Sequence, residues 1–166
     1  MKTEIHYSFF KTLFGLCLVA STDKGICNVL FADTQEDARK DLQSRWKGAL
    51  LLKKPQPHHK KILLFLKGNP SDVTLDVQGT SFQKKVWKLL QSIPKGKTST
   101  YGALAKQLGD MKLSRAVGTA IGANPIGYII PCHRVIKSNG ELSGFRWGVD
   151  RKRAMLSFEG IAHANK

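Results

Sequence analysis

The first half of the chain alternates apolar and polar residues in patterns that predict a small sheet with two helices. Two apolar runs flank the polar turn 22–25, which is typical of a hairpin. Thr34 with Asp37 three residues later resembles a capping box and predicts the start of a helix. The predicted elements are strands over 13–20 and 26–31, helices from Thr34 to about Trp46 and around Ile62, Leu63, Phe65 and Leu66, and a strand over 73–77. We therefore expect residues 1–75 to form a small α/β domain that acts as a scaffold.

The second half of the chain changes to helical spacing. Apolar residues recur at intervals of three and four in a helix that is predicted to end at Pro94. Ser99 or Thr100 predicts the cap of a second helix, and Ser114 predicts the cap of a third that runs to about Ala123. Two short helices joined by a tight link that contains glycine form a helix-turn-helix pattern, although many other helical proteins contain such pairs.

The second helix of that pair is slim. Small residues occupy alternate positions at Ala116, Gly118, Ala120 and Gly122, where a helix that reads the major groove of DNA would carry long polar side chains. Two interpretations fit this pattern, namely close packing on the core or entry into a narrow groove. Arg115, in the first turn, is the long charged residue of this helix.

The chain is strongly basic, with 27 Lys and Arg against 12 acidic residues and a net charge of +15. Residues 79–166 hold 15 basic and 4 acidic residues, whereas residues 1–78 hold 12 and 8, so most of the positive charge lies in the second half. Such a charge predicts binding to a polyanion through phosphate contacts that weaken as salt rises. A membrane surface or the ribosome would also attract so basic a chain.

A candidate reactive residue lies within Ile129-Ile130-Pro131-Cys132-His133-Arg134-Val135. The isoleucines predict the end of a buried strand that Pro131 terminates, so we expect Cys132 at the mouth of the core. A thiol becomes a good nucleophile when an imidazole or a cation lowers its pKa from about 8.5, and His133 and Arg134 are both candidates. Because neighbours in an extended strand point to opposite faces, Cys132 and His133 would interact only through a turn at Pro131 or through a water. A buried structural cysteine beside a surface histidine is the alternative.

The other residues with possible chemistry are interpreted as structural. Cys17 and Cys27 lie in alternating apolar runs, and three cysteines without a Cys-x-x-Cys pair argue against a disulfide framework and a zinc ribbon. His58 and His59 are interpreted as solvated helix residues, so we expect no metal and no other cofactor. The apolar run over 13–20 is too short to span a bilayer, and we interpret it as a strand and not as a signal peptide.

Three motifs of the second half occur in a distinctive order. They are Gly79-Thr80-Ser81-Phe82-Gln83, Pro131-Cys132-His133-Arg134-Val135 and Ser143-Gly144-Phe145-Arg146-Trp147-Gly148. Together they resemble the O6-alkylguanine-DNA alkyltransferases, also called methylated-DNA-protein-cysteine methyltransferases. The resemblance extends from about Asp76 to Gly160, whereas the earlier residues match only in length and general pattern.

This resemblance implies a fold and a function. The implied fold is a small α/β, ribonuclease H-like domain over residues 1–75, followed over residues 76–166 by a mostly α, winged-helix-like domain that contains the helix-turn-helix. The implied function is DNA repair by direct reversal, in which Cys132 irreversibly accepts a methyl or other alkyl group from O6-alkylguanine, and from O4-alkylthymine. We expect a monomer that binds alkylated double-stranded DNA through the minor groove, in the cytoplasm or on the bacterial nucleoid, without a cofactor or membrane contact.

The resemblance also assigns catalytic roles. Cys132 would be the alkyl acceptor, His133 would take its proton through a water, and Glu159 would hold the imidazole. Asn124 would brace the turn before the active site. Tyr101 would push on the 3′ phosphate of the target nucleotide and donate to a ring nitrogen of its base.

Further roles follow from the same resemblance. Arg115 would fill the gap that the flipped base leaves in the stack. The implied DNA-binding residues are Arg115, Tyr101, Ala116, Gly118 and Thr119, and the implied pocket residues are Ile121, Val135, Ser138, Asn139, Ser143, Gly144 and Phe145. Two positions depart from the family pattern: Ser81 replaces a frequent proline, and Leu142 replaces a pocket tyrosine of some relatives, which leaves the range of alkyl sizes open.

Three other classes of protein fit the sequence less well. A helix-turn-helix regulator explains the basic second half but not the Cys-His-Arg sequence. A papain-like protease would need its cysteine at a helix start and a remote histidine. An alkyltransferase-like protein that binds damaged DNA without repairing it has another residue, commonly tryptophan, in place of the cysteine, so Cys132 favours the enzyme.

Overall fold

The computed structural model describes residues 2–161, which divide into two compact units. The first unit contains the chain up to Gln78 together with Pro125–Ile129, and the second contains Gly79–Asn124 together with the chain from Ile130 onwards. Because a short segment near residue 127 belongs to the first unit, a single boundary does not describe the division. Residues 1 and 162–166, at the ends of the two predicted domains, lie outside the described residues.

A four-stranded sheet, in the order β3-β2-β1-β4, forms the basis of the first unit as described. Its strands are β1 (Glu4–Thr12), β2 (Gly15–Thr22), β3 (Gly25–Ala32) and β4 (Leu50–Lys53). The first three strands form an antiparallel meander, and β4 pairs in parallel with β1. The predicted hairpin is confirmed as β2 and β3. Strand β1 was not predicted, although polar and apolar residues alternate regularly over 4–9.

Two helices of the first unit, α1 (Gln35–Arg45) and α2 (His59–Leu66), pack on this sheet. The predicted start of α1 is confirmed, since the Thr34 side chain accepts a hydrogen bond from the backbone N–H of Asp37 at 3.1 Å. The strand predicted over 73–77 is wrong. Only Leu75 forms an isolated bridge, to Ile26 of β3, so the alternating sequence there reflects one point of pairing.

The interpretation of His59 as a solvated residue is also wrong, because this side chain is fully buried. Its Nδ1 lies 2.7 Å from the Ser8 hydroxyl and its Nε2 lies 2.8 Å from the Ser21 hydroxyl. Burial, with smaller effects from His58 and His6, lowers the pKa of His59 to about 4. The ring is therefore a neutral bridge between α2 and two strands of the sheet.

The second unit is mostly helical, as expected. Its elements are α3 (Ser81–Gln91), β5 (Ser99–Thr100), α4 (Tyr101–Gln107), α5 (Ser114–Gly122), β6 (Val135–Ile136) and α6 (Val149–Phe158). The short strands β5 and β6 pair in parallel. Helices α4 and α5 contact each other and are joined by a 3₁₀ turn, which gives the predicted helix-turn-helix.

The caps of these helices explain where they begin. Thr80 and Gln83 form a complete capping box at α3, and Thr100 caps α4. Ser114 was predicted to cap α5 but is its first helical residue. Its hydroxyl donates to the carbonyl of Met111 at 2.8 Å, because the preceding 3₁₀ turn already has helical backbone geometry.

No helix within residues 2–161 is long and apolar enough to cross a bilayer.

Candidate active site

Cys132 begins a 3₁₀ turn, Cys132–Arg134, directly after Pro131. The residues before it, 129 and 130, lie in a turn and not in the predicted strand. The reason is that the carbonyl of Ile130 is bonded locally: it accepts from the backbone N–H of Cys132 at 2.8 Å and from the Asn124 amide at 2.9 Å. The chain therefore turns at Pro131, which was one of the two conditions for Cys132 and His133 to work together.

Asn124 connects this turn to the thiol. Its Nδ2 also donates to the Sγ of Cys132 at 3.1 Å, and both side chains are buried. A hydrogen bond donated to sulfur stabilises the thiolate more than the thiol. The structure thus brings Asn124 to Cys132 in a position to brace the turn and to stabilise the sulfur.

His133 and Glu159 form a buried pair. Nε2 of His133 lies 3.0 Å from Oε1 of Glu159, and both side chains are inaccessible to solvent. Burial lowers the pKa of His133, and the hydrogen bond and negative charge of Glu159 oppose that shift. The pair can therefore hold a proton that the imidazole receives from a neighbouring group.

Arg134 fixes the carboxylate of this pair. Its Nε donates to Oε1 of Glu159 at 2.9 Å and its Nη2 donates to Oε2 at 2.5 Å, while Nη1 donates to the carbonyl of Ile93 at 2.6 Å. Burial raises the pKa of Glu159, but the hydrogen bonds from Arg134 and His133 outweigh it and hold that pKa at about 2. Glu159 is thus ionised at neutral pH, and the guanidinium of Arg134 is bonded to this carboxylate.

A second set of hydrogen-bonded polar groups, which the sequence did not predict, includes the buried Lys152. Nζ of Lys152 donates to the Ser143 hydroxyl at 2.8 Å, and that hydroxyl is hydrogen-bonded to the Tyr101 hydroxyl. Burial lowers the pKa of Lys152 to about 8, although the nearby Cys132 favours the charged form. Lys152 lies three residues before Met155 on the buried face of α6, and this spacing is the signal that could have found it.

A cavity of about 270 Å³ opens beside Cys132. The residues that line it are Tyr101, Gly118, Ile121, Gly122, Cys132, Gly144, Phe145 and Arg146. Ser143 is hydrogen-bonded to Tyr101 of this lining, and Val135 is buried in β6. Ser138 and Asn139, two implied pocket residues, are exposed and are not among the residues that line the cavity. Gly122 and Arg146 line it without having been predicted to do so.

Helix α5 presents its slim face to solvent. Arg115, Ala116, Thr119 and Gly122 are exposed, whereas Val117, Ala120 and Ile121 are buried. Gly118 faces the ring of Tyr101, and a Cβ there would lie at an ordinary contact distance of 3.7 Å from that ring. Close packing therefore accounts for the buried Ala120 but does not require glycine at 118, and the exposed small residues leave room for a partner to approach this face.

Within the described part of the chain, no three His, Cys, Asp or Glu side chains are grouped so that they could hold a metal ion. The second unit brings together a buried thiol and two hydrogen-bonded sets of polar side chains, one that includes Glu159 and one that includes Lys152. Such a site can deliver a thiolate to an electrophile and a proton to the group that leaves.

Comparison with known proteins identifies the class. Residues 5–78 match the family model of the 6-O-methylguanine DNA methyltransferase ribonuclease-like domain, and residues 81–161 match that of the DNA binding domain of the same family. A methylated-DNA-protein-cysteine methyltransferase of Methanosarcina mazei is 37% identical over 155 residues, which cover 93% of this chain and 97% of that protein. The chain belongs to the 6-O-methylguanine DNA methyltransferase family.

Other relatives are longer or match in part. The bifunctional transcriptional activator/DNA repair enzyme Ada of Escherichia coli is 38% identical over 163 residues, which cover 93% of this chain but 45% of Ada. The chain thus spans about half the length of the curated relatives that it matches first. The crystal structure of Mycobacterium tuberculosis OGT in complex with DNA has a TM-score of 0.77 at 35% identity, and the match covers 93% of this chain and 92% of that one. The predicted fold class is confirmed.

Proposed function

We propose that this protein is a methylated-DNA-protein-cysteine S-methyltransferase that repairs DNA by direct reversal. In one irreversible turnover it moves a methyl or other alkyl group from O6 of guanine, and from O4 of thymine, to Cys132. The observation that carries this proposal is the position of Cys132, which lies beside a cavity between the helix-turn-helix and the loop that contains Phe145. The names of the relatives support the same reaction.

The thiolate forms by proton transfer to His133. Because Nε2 of His133 is hydrogen-bonded to Glu159, the proton from Cys132 arrives through the other ring nitrogen, Nδ1, by way of a water. Arg134 keeps Glu159 ionised, so the carboxylate stabilises the imidazolium without taking its proton. Asn124 holds the sulfur in place.

Transfer then makes one bond and breaks one. The Cys132 sulfur attacks the alkyl carbon, the bond between that carbon and O6 breaks, and its electron pair stays on the guanine. A proton from Tyr101 neutralises the leaving base, and Lys152 replaces that proton through Ser143. A lysine with a pKa near 8 suits this role, because it holds its proton at neutral pH and gives it up readily.

DNA engagement is assigned to the second unit. Its net charge of +11 attracts the phosphates. The exposed slim face of α5, with Ala116, Gly118 and Thr119, enters the minor groove, and Arg115 occupies the stack after the target base has flipped into the cavity. The protein acts as a monomer on double-stranded DNA, in the cytoplasm or on the nucleoid of a bacterial source, where cysteine stays reduced.

Mass spectrometry tests the proposal against a protein that binds damage without repairing it. The full chain is incubated with a duplex oligonucleotide that contains a single O6-methylguanine, then digested and analysed. Repair adds one methyl group to the peptide that contains Cys132 and restores guanine in the oligonucleotide. DNA binding with an unmodified Cys132 would support the binding protein instead.

A further inference from the structure

Arg146 is the permanently charged residue of the cavity lining. The other lining residues are a tyrosine, a phenylalanine, an isoleucine, a cysteine and three glycines. Arg146 is exposed, whereas Cys132 is buried, so the guanidinium lies toward the solvent side of the cavity. None of the roles given above to the thiol, the proton relays or α5 uses this arginine.

The loop that carries Arg146 is anchored on both sides. Before it, Ser143 is hydrogen-bonded to Lys152. After it, Trp147 is buried, packs edge-on against Phe145 with 5.6 Å between ring centroids, and accepts a hydrogen bond through its carbonyl from Arg151 at 3.0 Å. A backbone held at these points places Arg146 at the cavity with little loss of conformational freedom on binding.

We propose that Arg146 binds a phosphate next to the nucleotide whose base occupies the cavity. A guanidinium presents a planar set of donors that matches phosphate oxygens, and it is the side chain best suited to bidentate phosphate recognition. Arg146 then positions the target nucleotide and makes the site selective for a base within DNA over a free base. This inference rests on the proposed function, because it takes the occupant of the cavity to be a flipped nucleotide.

The experiment pairs Arg146→Ala with removal of single phosphate charges. Duplexes with one O6-methylguanine are made with a neutral methylphosphonate at the 5′ or the 3′ linkage of that nucleotide, and methyl transfer is measured in single turnover. At one of these linkages the unmodified protein should lose about tenfold in rate, and Arg146→Ala should lose nothing further there. The proposal would be overturned if each methylphosphonate slowed transfer by the same factor in both proteins, or if neither methylphosphonate slowed transfer in either protein.

Two variants sharpen this result. Arg153→Ala removes the same charge from α6, where Arg153 pairs with Asp150 at 2.9 Å outside the cavity lining, so it should keep the full methylphosphonate effect. Arg146→Lys keeps the positive charge but loses the planar set of donors, so its loss of rate with the methylphosphonate should be intermediate. If Arg153→Ala cancels the effect as well, the general field is responsible and Arg146 has no special role.

The remaining measurement uses free O6-benzylguanine, which has no phosphate. Arg146→Ala should react with it at the rate of the unmodified protein, and an equal loss on free base and duplex would show contact with the base and overturn the proposal. If the unmodified protein transfers no methyl from any duplex, the proposed function fails and this inference with it. If methyl transfer occurs but the effect of Arg146→Ala is independent of both methylphosphonates, the proposed function stands and only the role of Arg146 is wrong.

Discussion

Each unit of this protein fully buries a histidine, and the two rings differ in what holds them. His59 lies between the hydroxyls of Ser8 and Ser21, whereas His133 faces the carboxylate of Glu159. The two hydroxyls satisfy the hydrogen bonds of a neutral ring, but they do not offset the free-energy cost of protonating that ring in a buried site. A buried carboxylate offsets that cost, so the second ring can accept a proton during a reaction. Both histidines are buried, and the difference between them is the charged partner, which His133 has in Glu159 and His59 lacks among its bonded side chains.

The cysteines repeat this contrast. Burial raises the pKa of Cys27 to about 12, and it raises the pKa of Cys17 as well. Cys132 is equally buried, but it accepts a hydrogen bond from Asn124 and lies close enough to Lys152 to affect its charge. A buried thiol in an apolar sheet is inert, so we expect neither cysteine of the first unit to act as an alkyl acceptor.

The largest expected effect is the loss of transfer in Cys132→Ala. If the sulfur is the acceptor, as proposed, and makes little contact with DNA, this variant should transfer no methyl while it binds duplex DNA with unchanged affinity. Cys17→Ala and Cys27→Ala are the matched controls and should transfer at the original rate once folded. Transfer is assayed by mass spectrometry and by recovery of guanine. Measurable transfer by Cys132→Ala would mean that another residue is the acceptor and that Cys132 does not differ in reactivity from the cysteines of the first unit.

The two buried histidines allow a direct comparison. His133→Phe and Glu159→Gln should slow transfer by about 10² to 10⁴, the range of general acid-base effects. Their Cys132 should also react with iodoacetamide only at higher pH, because the proton acceptor is lost or weakened. His59→Gln should lower the free energy of unfolding, since it disturbs the bonds to Ser8 and Ser21, but should leave the transfer rate of the folded protein unchanged. A comparable loss of rate in His59→Gln would mean that the first unit takes part in the reaction.

Arg115→Ala tests whether α5 supports base flipping. The variant lacks the side chain that we propose to occupy the vacated stack, so transfer from duplex DNA should slow by about tenfold or more, in line with an unpairing cost of a few kcal/mol. Transfer from free O6-benzylguanine, if the cavity accepts that group, should remain near the original rate. An equal loss on both substrates would assign Arg115 to the cavity and leave α5 without its proposed role.

Lys152→Met should lower the transfer rate less than the variants above, and it should raise the free energy of unfolding. Transfer should slow several-fold at neutral pH, and the ratio of original to variant rate should fall as pH rises through about 8, where Lys152 loses its proton. The variant should also unfold less readily at pH 7, by on the order of 1–3 kcal/mol, because it no longer buries a charge.

The pH dependence of unfolding checks the same residue independently. The pKa of Lys152 is about 8 in the folded protein and near 10.5 when unfolded, so between these values the unfolded chain binds more protons. Its contribution to the free energy of unfolding therefore rises with pH across that window. Urea unfolding of Lys152→Met should lack this rise. A rise of equal size in both proteins would mean that another group causes it.

Local patterns in the sequence determined the parts of the fold that depend on neighbouring residues. The cap at Thr34, the hairpin of β2 and β3 and the pair of helices around residue 110 each arise from residues a few positions apart, and each was predicted. Where pairing is distant, prediction failed: β4, which pairs with the distant β1, was not predicted, and the strand expected over 73–77 is a single bridge to Ile26. The motif around Cys132 pointed to the reaction, but it did not show the turn that precedes the thiol.

Only the tertiary structure decided which polar side chains are buried and what they contact. His59 meets hydroxyls 51 and 38 positions away, and Arg134 meets a carboxylate 25 positions away. Lys152 joins Tyr101 through Ser143, which lies 42 positions from the tyrosine. Spacing along one element can predict that a residue faces inward, but the charge of its partner depends on which distant elements pack against it. For that reason the sequence predicted Cys132 as the acceptor and His133 with Glu159 as its relay, whereas the buried Lys152 and the arginine at the cavity emerged only once the chain was folded.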